Sequence, residues 1–224
     1  MTTHAHVRRT PRPKTPCRSA AEIRFRLSAG ARTIIIDTDQ DLELDDSHFA
    51  DTTQTWTMRI TGVSRVRINL TKKLPQRITI VATDASTIQA TGVTELHAYT
   101  NATVDAFDDC KVTGHNNSTI NACDRVVVVA SENTTVNAYD ASTVHAAGHA
   151  TVNATDHTRV VLHDNASAVA QRGVTVHGPS RRNLTLHSPE PTQSAKPSAA
   201  ELTDLPVHRE FGSGTDERGT DRGH

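Results

Sequence analysis

Four aspartates, Asp108, Asp124, Asp140 and Asp156, recur at every sixteenth position. If that interval stacks them in one row, their carboxylates lie about 4.8 Å apart, the spacing of neighbouring strands. Like charges so close oppose full ionisation unless a cation or turn amides compensate. A row of Ca²⁺ ions is one chemistry open to them, because Ca²⁺ takes Asp and Asn oxygens as ligands. The simpler expectation is that each carboxylate accepts backbone N–H bonds in a turn.

Other residue types that do chemistry are weighed in the same way. Asp105 with Asp108 or Asp109 imitates the carboxylate pair of a glycoside-cleaving enzyme. The segments around it lack the long loops that build a substrate cleft, and no nucleophile triad or phosphate-binding loop is present. The chain has 13 histidines. His97, His145 and His177 fall on one face but are separated by three coils and by two, too far apart to share one ion. His145, His149 and His157 are nearer, although the spacing of His149 and His157 puts them on opposite edges. No catalytic, cofactor or metal residues are therefore assigned.

Such rows exist only if the chain folds as a repeat. Cut at every eighth position from Ile78, it gives 14 blocks without insertion, from ITIVATDA through STINACDR and TTVNAYDA to RNLTLHSP. The third position is Ile, Leu or Val in every block but one, where it is Ala168, and the fifth is Ala in ten, Gly in two and Leu in two. Side chains alternate faces along a strand, so positions three and five point inward together and positions two and four point out. Positions six to eight carry the turn residues Asp, Asn, Gly and His.

A second periodicity fixes the size of one coil. Thr87, Thr103, Thr119, Thr135, Thr151 and Ser167 occupy the second position of every other block, and Asn121, Asn137 and Asn153 the fourth. Asn101, Asn117, Asn133 and Asn165 close the alternate blocks. All these series repeat with a period of two blocks, which predicts two strands per coil and two sheets back to back. Stacked Thr suits a strand face through β-branched packing and hydroxyl pairing. Asparagine in the Asn101 series is expected to take the left-handed conformation of a tight turn and to exchange amide bonds along the stack.

The fold class predicted is all-β, a parallel β-solenoid with two strands per 16-residue coil and disordered tails at both ends. Residues 1–21 read as a disordered basic arm carrying Arg8, Arg9, Arg12, Lys14 and Arg18. Residues 22–77 read as irregular N-terminal coils. In them IRFRL, TIIID and DLELD alternate like strands, Met58, Ile60, Val66 and Ile68 point inward, and KKLPQR is an insertion. The regular solenoid spans 78–189, and 190–224, rich in Pro, Ser, Gly, Thr and charge, reads as a disordered tail.

Composition agrees. Aromatics make up 3% of 224 residues, with one Trp, so the interior must be thin and built from Val, Ile, Leu and Ala. The net charge of −1 gives no global attraction to polyanions. Nucleic-acid binding is expected at most weakly, through the basic arm. Cys17, Cys110 and Cys123 show no CxxC spacing and suggest reduced, structural thiols. No apolar segment follows the basic N-terminus, and no apolar run is long enough for a membrane-spanning helix. A cytoplasmic protein without a membrane span is therefore expected.

The blocks NATVDAFD, NSTINACD, NTTVNAYD and HATVNATD resemble the octad repeats of "DNATVxAxG" type in functionally uncharacterised proteins of actinobacteria and their phages. That resemblance covers about residues 78–178 and implies the architecture rather than an activity. Bactofilins and ice-nucleation proteins are similar in geometry only. The AGYGST motif and paired T-x-T rows of those proteins are missing, so no functional residues carry over. The functional expectation is a non-catalytic structural or interaction protein with a rigid repetitive surface, self-associating through solenoid ends or a sheet face. The alternatives are a surface that binds carbohydrate, ice or metal on a Thr/Asn/Asp ladder face, and a β-helix carbohydrate-active enzyme.

Overall fold

The computed structural model describes residues 15–49, 54–178 and 184–186. Helix α1 (Ala20–Ser28) leads into β1 (Thr33–Ile36), β2 (Asp41–Asp45), a 3₁₀ turn (Asp46–Phe49), β3 (Trp56–Ile60) and β4 (Arg65–Leu70). Next come β5 (Ile78–Ala82), β6 (Thr87–Gly92), β7 (Glu95–Ala98), β8 (Thr103–Ala106), β9 (Lys111–Gly114) and β10 (Thr119–Ala122). The stack continues through β11 (Val127–Ala130), β12 (Thr135–Ala138), β13 (Thr143–Ala146), β14 (Thr151–Ala154), β15 (Arg159–Leu162) and β16 (Ser167–Ala170). Two short strands, β17 (Thr175–His177) and β18 (Leu184–Leu186), finish it.

Odd-numbered strands form one parallel sheet and even-numbered strands the other, nine in each among the described residues. The chain is a parallel β-solenoid. Its coil length is read from the register. Thr33 pairs with Thr57 and Trp56 with Ile78, so the first two coils are long. From Val81 opposite His97 onward every strand partner lies sixteen positions along the chain, and this holds to Ala170 opposite Leu186. The insertion at KKLPQR accounts for the second long coil. Eight inter-strand steps make the stack about 38 Å long.

Inward packing follows the third and fifth positions. Met58, Ile60, Val66, Ile68, Val104, Ala106, Val136 and Ala138 are all buried. Small fifth-position residues let the two sheets approach closely. At Gly114 even a methyl group would lie 2.7 Å from both Ile120 Cδ1 and Thr134 Cγ2. The first position is buried as well, on the same strand face as positions three and five. Ser86, Thr94, Thr134 and Thr158 occupy it, and each hydroxyl donates to the carbonyl three residues back at 2.7–2.8 Å. That bond removes most of the cost of burying a hydroxyl.

The N-terminal end departs from expectation. IRFRL is helical, not a strand. Ile23 and Leu27, one helical turn apart, are its buried face, while Phe25 between them is 72% exposed. Ser19 caps the helix by accepting from the Glu22 amide at 3.3 Å, and Glu22 accepts in turn from the Arg18 amide at 2.8 Å. This reciprocal cap selects the helix over the strand. Cys17, assigned from sequence to the basic arm, is buried and bridges to Ile36, its amide donating to Ile35 O at 2.6 Å. The helix packs on β1, β2 and the 3₁₀ turn and so covers the first edge of the stack. Phe49 and Trp56, buried and stacked at 5.7 Å, fill the space beneath it. Of the arm, residues 1–14 lie outside the described residues, as does all of the tail assigned to 190–224.

Candidate functional site

Each coil has two turns. Those leading from even to odd strands form the aspartate edge, and those leading from odd to even strands form the Tyr99 edge. In nearly every described turn the amide of position one donates to the carbonyl of position six, as from Ala102 to Tyr99 at 3.1 Å. Position seven, first of the two residues between, takes a positive φ in most turns. On the aspartate edge these residues are Gly92, Asp108, Asp124, Asp140 and Asp156, with φ between 56° and 72°. On the other edge they are Asp84, Thr100, Asn116, Glu132, Gly148 and Asp164. The left-handed position is thus not the Asn101 series, as expected from sequence, but the residue before it. Asn101, Asn117, Asn133 and Asn165 occupy the next turn position and are exposed.

The aspartate row is closed upon itself. Asp108 Oδ2 accepts from the Gly92 amide at 2.9 Å. Asp124 accepts from the Asp108 amide at 3.2 Å, Asp140 from that of Asp124 at 3.2 Å, and Asp156 from that of Asp140 at 3.3 Å. Each carboxylate completes the turn of the coil before it, and backbone dipoles compensate the row's charge.

On the even sheet, Thr87, Thr103, Thr119, Thr135 and Thr151 stand in register with Ser167. Beside them runs the amide ladder. Asn153 Nδ2 donates to Asn137 Oδ1 at 2.9 Å, Asn137 to Asn121 at 2.8 Å, and Asn121 to Asp105 Oδ1 at 2.6 Å. Burial pushes the Asp105 carboxyl above the usual carboxylate range, against the opposing bond from Asn121. Asp108 and Asp109 do not share its partners. Asp108 holds the Gly92 amide, while Asp109 is held bidentately by Arg125 at 2.7 and 2.8 Å, which lowers its pKa. The carboxylate pair weighed for catalysis is therefore divided among separate partners.

His97, His145 and His177 stand in one row of the odd sheet, three and two strands apart. Among the described residues no three His, Cys, Asp or Glu side chains gather as a metal ligand set. Cys17, Cys110 and Cys123 are buried thiols, none of them in a disulfide. Burial pushes the Cys110 thiol up to about 11.

Sequence reading missed a ring stack on the Tyr99 edge. Tyr99 and His115 lie 4.6 Å apart with planes 10° from parallel, and His97 sits 6.4 Å from each. His115 Nδ1 lies 2.9 Å from Ser131 Oγ. Burial, with the His115 charge, holds His97 below the usual imidazole range. The cue was available, since Tyr99 and His115 are one coil apart at position six. Two open grooves follow this edge, of about 500 and 810 Å³, and both are lined by Thr100 and Asn116.

No protein-family model, curated protein or solved structure matches this chain. No described helix is long and apolar enough to cross a membrane.

Proposed function

We propose that this chain is a non-catalytic structural or interaction protein of the octad-repeat type, a rigid rod in the cytoplasm that self-associates through a solenoid end or a sheet face. One observation carries the reading. The aspartate row and the Asn121 ladder are engaged in bonds from coil to coil. The carboxylates of Asp108, Asp124, Asp140 and Asp156 are turn acceptors, and Asn121, Asn137 and Asn153 are tied to one another. Such bonds stiffen a stack and leave a repetitive surface, the property solenoids use to present long binding faces.

Size-exclusion chromatography with light scattering, from micromolar to near-millimolar protein, tests self-association, with negative-stain imaging of the same fractions. Discrete oligomers or filaments are expected. A strict monomer throughout overturns it. A turnover that Asp105→Asn and Asp108→Asn both abolish overturns the non-catalytic part.

A further inference from the structure

The cavity of about 500 Å³ lies where the outer face of the odd sheet meets the Tyr99 edge. We infer that it is a binding site for an acidic oligosaccharide, with one pyranose ring stacked on Tyr99 and its anionic group on Arg59. This goes beyond the rod-like role and does not depend on it.

Three features converge there. The first is a backed aromatic face. His115 covers one side of the Tyr99 ring, and Ser131 holds His115 in turn. In the preceding coil the equivalent of Tyr99 is Thr83, which has no ring to cover the other side. Tyr99 and Thr83 both line the cavity. A flat, pre-positioned ring gains apolar contact with the C–H face of a sugar at little conformational cost.

The second feature is a cation without a partner among the described residues. Arg59 is exposed on β3 and forms no ion pair or hydrogen bond among the described residues. Lys73 and Lys111 are instead held by Glu95 at 3.5 and 3.0 Å. A free guanidinium takes a carboxylate or sulfate bidentately.

The third is an acceptor with capacity to spare. Asp84 Oδ2 accepts from the Gly62 amide at 3.3 Å and from Thr83 Oγ1 at 3.2 Å. Oδ1 has no bond among the described residues, so it can accept a sugar hydroxyl.

Size and direction fit an oligomer. The volume falls within the range of roughly 300–1,000 Å³ typical of ligand sites. Through Thr100 and Asn116 the cavity adjoins the larger groove, which runs on past Glu132 and His149. A chain lying along the stack therefore meets an equivalent turn about every 4.8 Å.

The full isotope-labelled chain is titrated with trigalacturonate, maltotriose, a sulfated trisaccharide and a nucleoside monophosphate, following backbone amide shifts. Trigalacturonate is expected to move amides at 57–60, 81–84, 99–100 and 116. Tyr99→Ala weakens it by at least about tenfold. Arg59→Ala, which removes no buried contact, abolishes the preference over maltotriose. Tyr139→Ala, on the aspartate edge, changes nothing. Equal binding of the sulfated sugar supports a general anionic pyranose, and weaker binding supports carboxylate recognition. Absence of shifts at these amides with every saccharide overturns the site. So does undiminished binding by Tyr99→Ala, or tighter binding of the nucleotide. Assembly state, read on the same samples, reports separately on the rod-like role.

Discussion

Asp124 sits in the middle of the aspartate row, half-buried, with φ 61° and with one carboxylate oxygen accepting from the Asp108 amide at 3.2 Å. Two costs can be separated there by three substitutions. Alanine loses both the acceptor and the tolerance of the left-handed conformation. Left-handed backbone costs an ordinary residue about 1–2 kcal/mol. A bond from an amide to a carboxylate contributes about 1.5–3 kcal/mol when well buried, and about 1 kcal/mol is reasonable in this half-exposed turn. Asp124→Ala is therefore expected to cost about 2–3 kcal/mol. Asp124→Gly relieves the backbone strain but loses the bond and adds unfolded-state freedom, for about 1.5 kcal/mol. Asp124→Asn keeps an acceptor oxygen and a residue that visits this conformation, so its cost stays below about 1 kcal/mol. Urea denaturation followed by circular dichroism reads the series as shifts in midpoint at constant m. If Ala and Asn are equally mild, the row is not a structural ladder and the reasoning fails. If Asn is as damaging as Ala, and Ca²⁺ raises the melting temperature of the parent but not of Asp124→Asn, the row is a cation site instead.

Three further outcomes follow from particular contacts. A Cβ on Gly92 would lie 2.1 Å from Leu70 O at φ 72°, so Gly92→Ala is expected to cost about 2–4 kcal/mol, and a melting temperature within a degree or two of the parent contradicts that packing. The Asp105 carboxyl is held above its ordinary range, so the folded state binds that proton more tightly. Its contribution to stability is complete below the unfolded pKa of about 3.9 and is lost as pH rises through the raised folded value. The stability of the parent minus that of Asp105→Asn should therefore fall as pH rises from acid toward neutrality, and a rise in melting experiments across that window refutes the assignment. Cys110, buried with its thiol pushed up to about 11, should resist thiol reagents at pH 8 until denaturant is added, and rapid native labelling counts against its placement.

The 16-residue coil was legible because third- and fifth-position residues are apolar while the second and fourth vary, so alternation and ladder spacing agree. Burial at the first position follows from the same alternation, but its residue types obscure it. Ser86, Thr94 and Thr158 look like surface residues until the bond from each hydroxyl to the carbonyl three residues back is known. IRFRL satisfies both a two-residue and a four-residue period, and only the Ser19–Glu22 cap decides between them. The left-handed position was misplaced because its occupants on the Tyr99 edge, Asp84, Thr100, Asn116, Glu132, Gly148 and Asp164, are of five different types, whereas the asparagines one step later recur. The Arg59 cavity had no sequence cue, because Arg59 and Asp84 lie on either side of a coil of irregular length.

The two edges differ in how their ladders run, and this bears on where a ligand can sit. On the aspartate edge five successive turns are joined, from Gly92 to Asp156. There every turn from Gly92 to Asp140 has its left-handed amide held by the carboxylate of the next coil, so the row is continuous. On the Tyr99 edge, among the described residues, carboxylates at the left-handed position join the turns only in pairs, Gly62 with Asp84, Asn116 with Glu132, and Gly148 with Asp164. Thr100 falls between two of these pairs, carries no carboxylate, and lines both grooves. The interruption of the ladder thus coincides with the open surface, Tyr99 and the spare oxygen of Asp84. Structural completeness on one edge and incompleteness on the other is the physical reason to look for recognition at Tyr99 rather than along the aspartate row. Replacing Thr100 with Asp is expected to extend the ladder toward Asp84, by offering the Asp84 amide an acceptor. That substitution should raise stability slightly and weaken any ligand bound at Tyr99, and an increase in both quantities would show that ladder completion and binding do not compete.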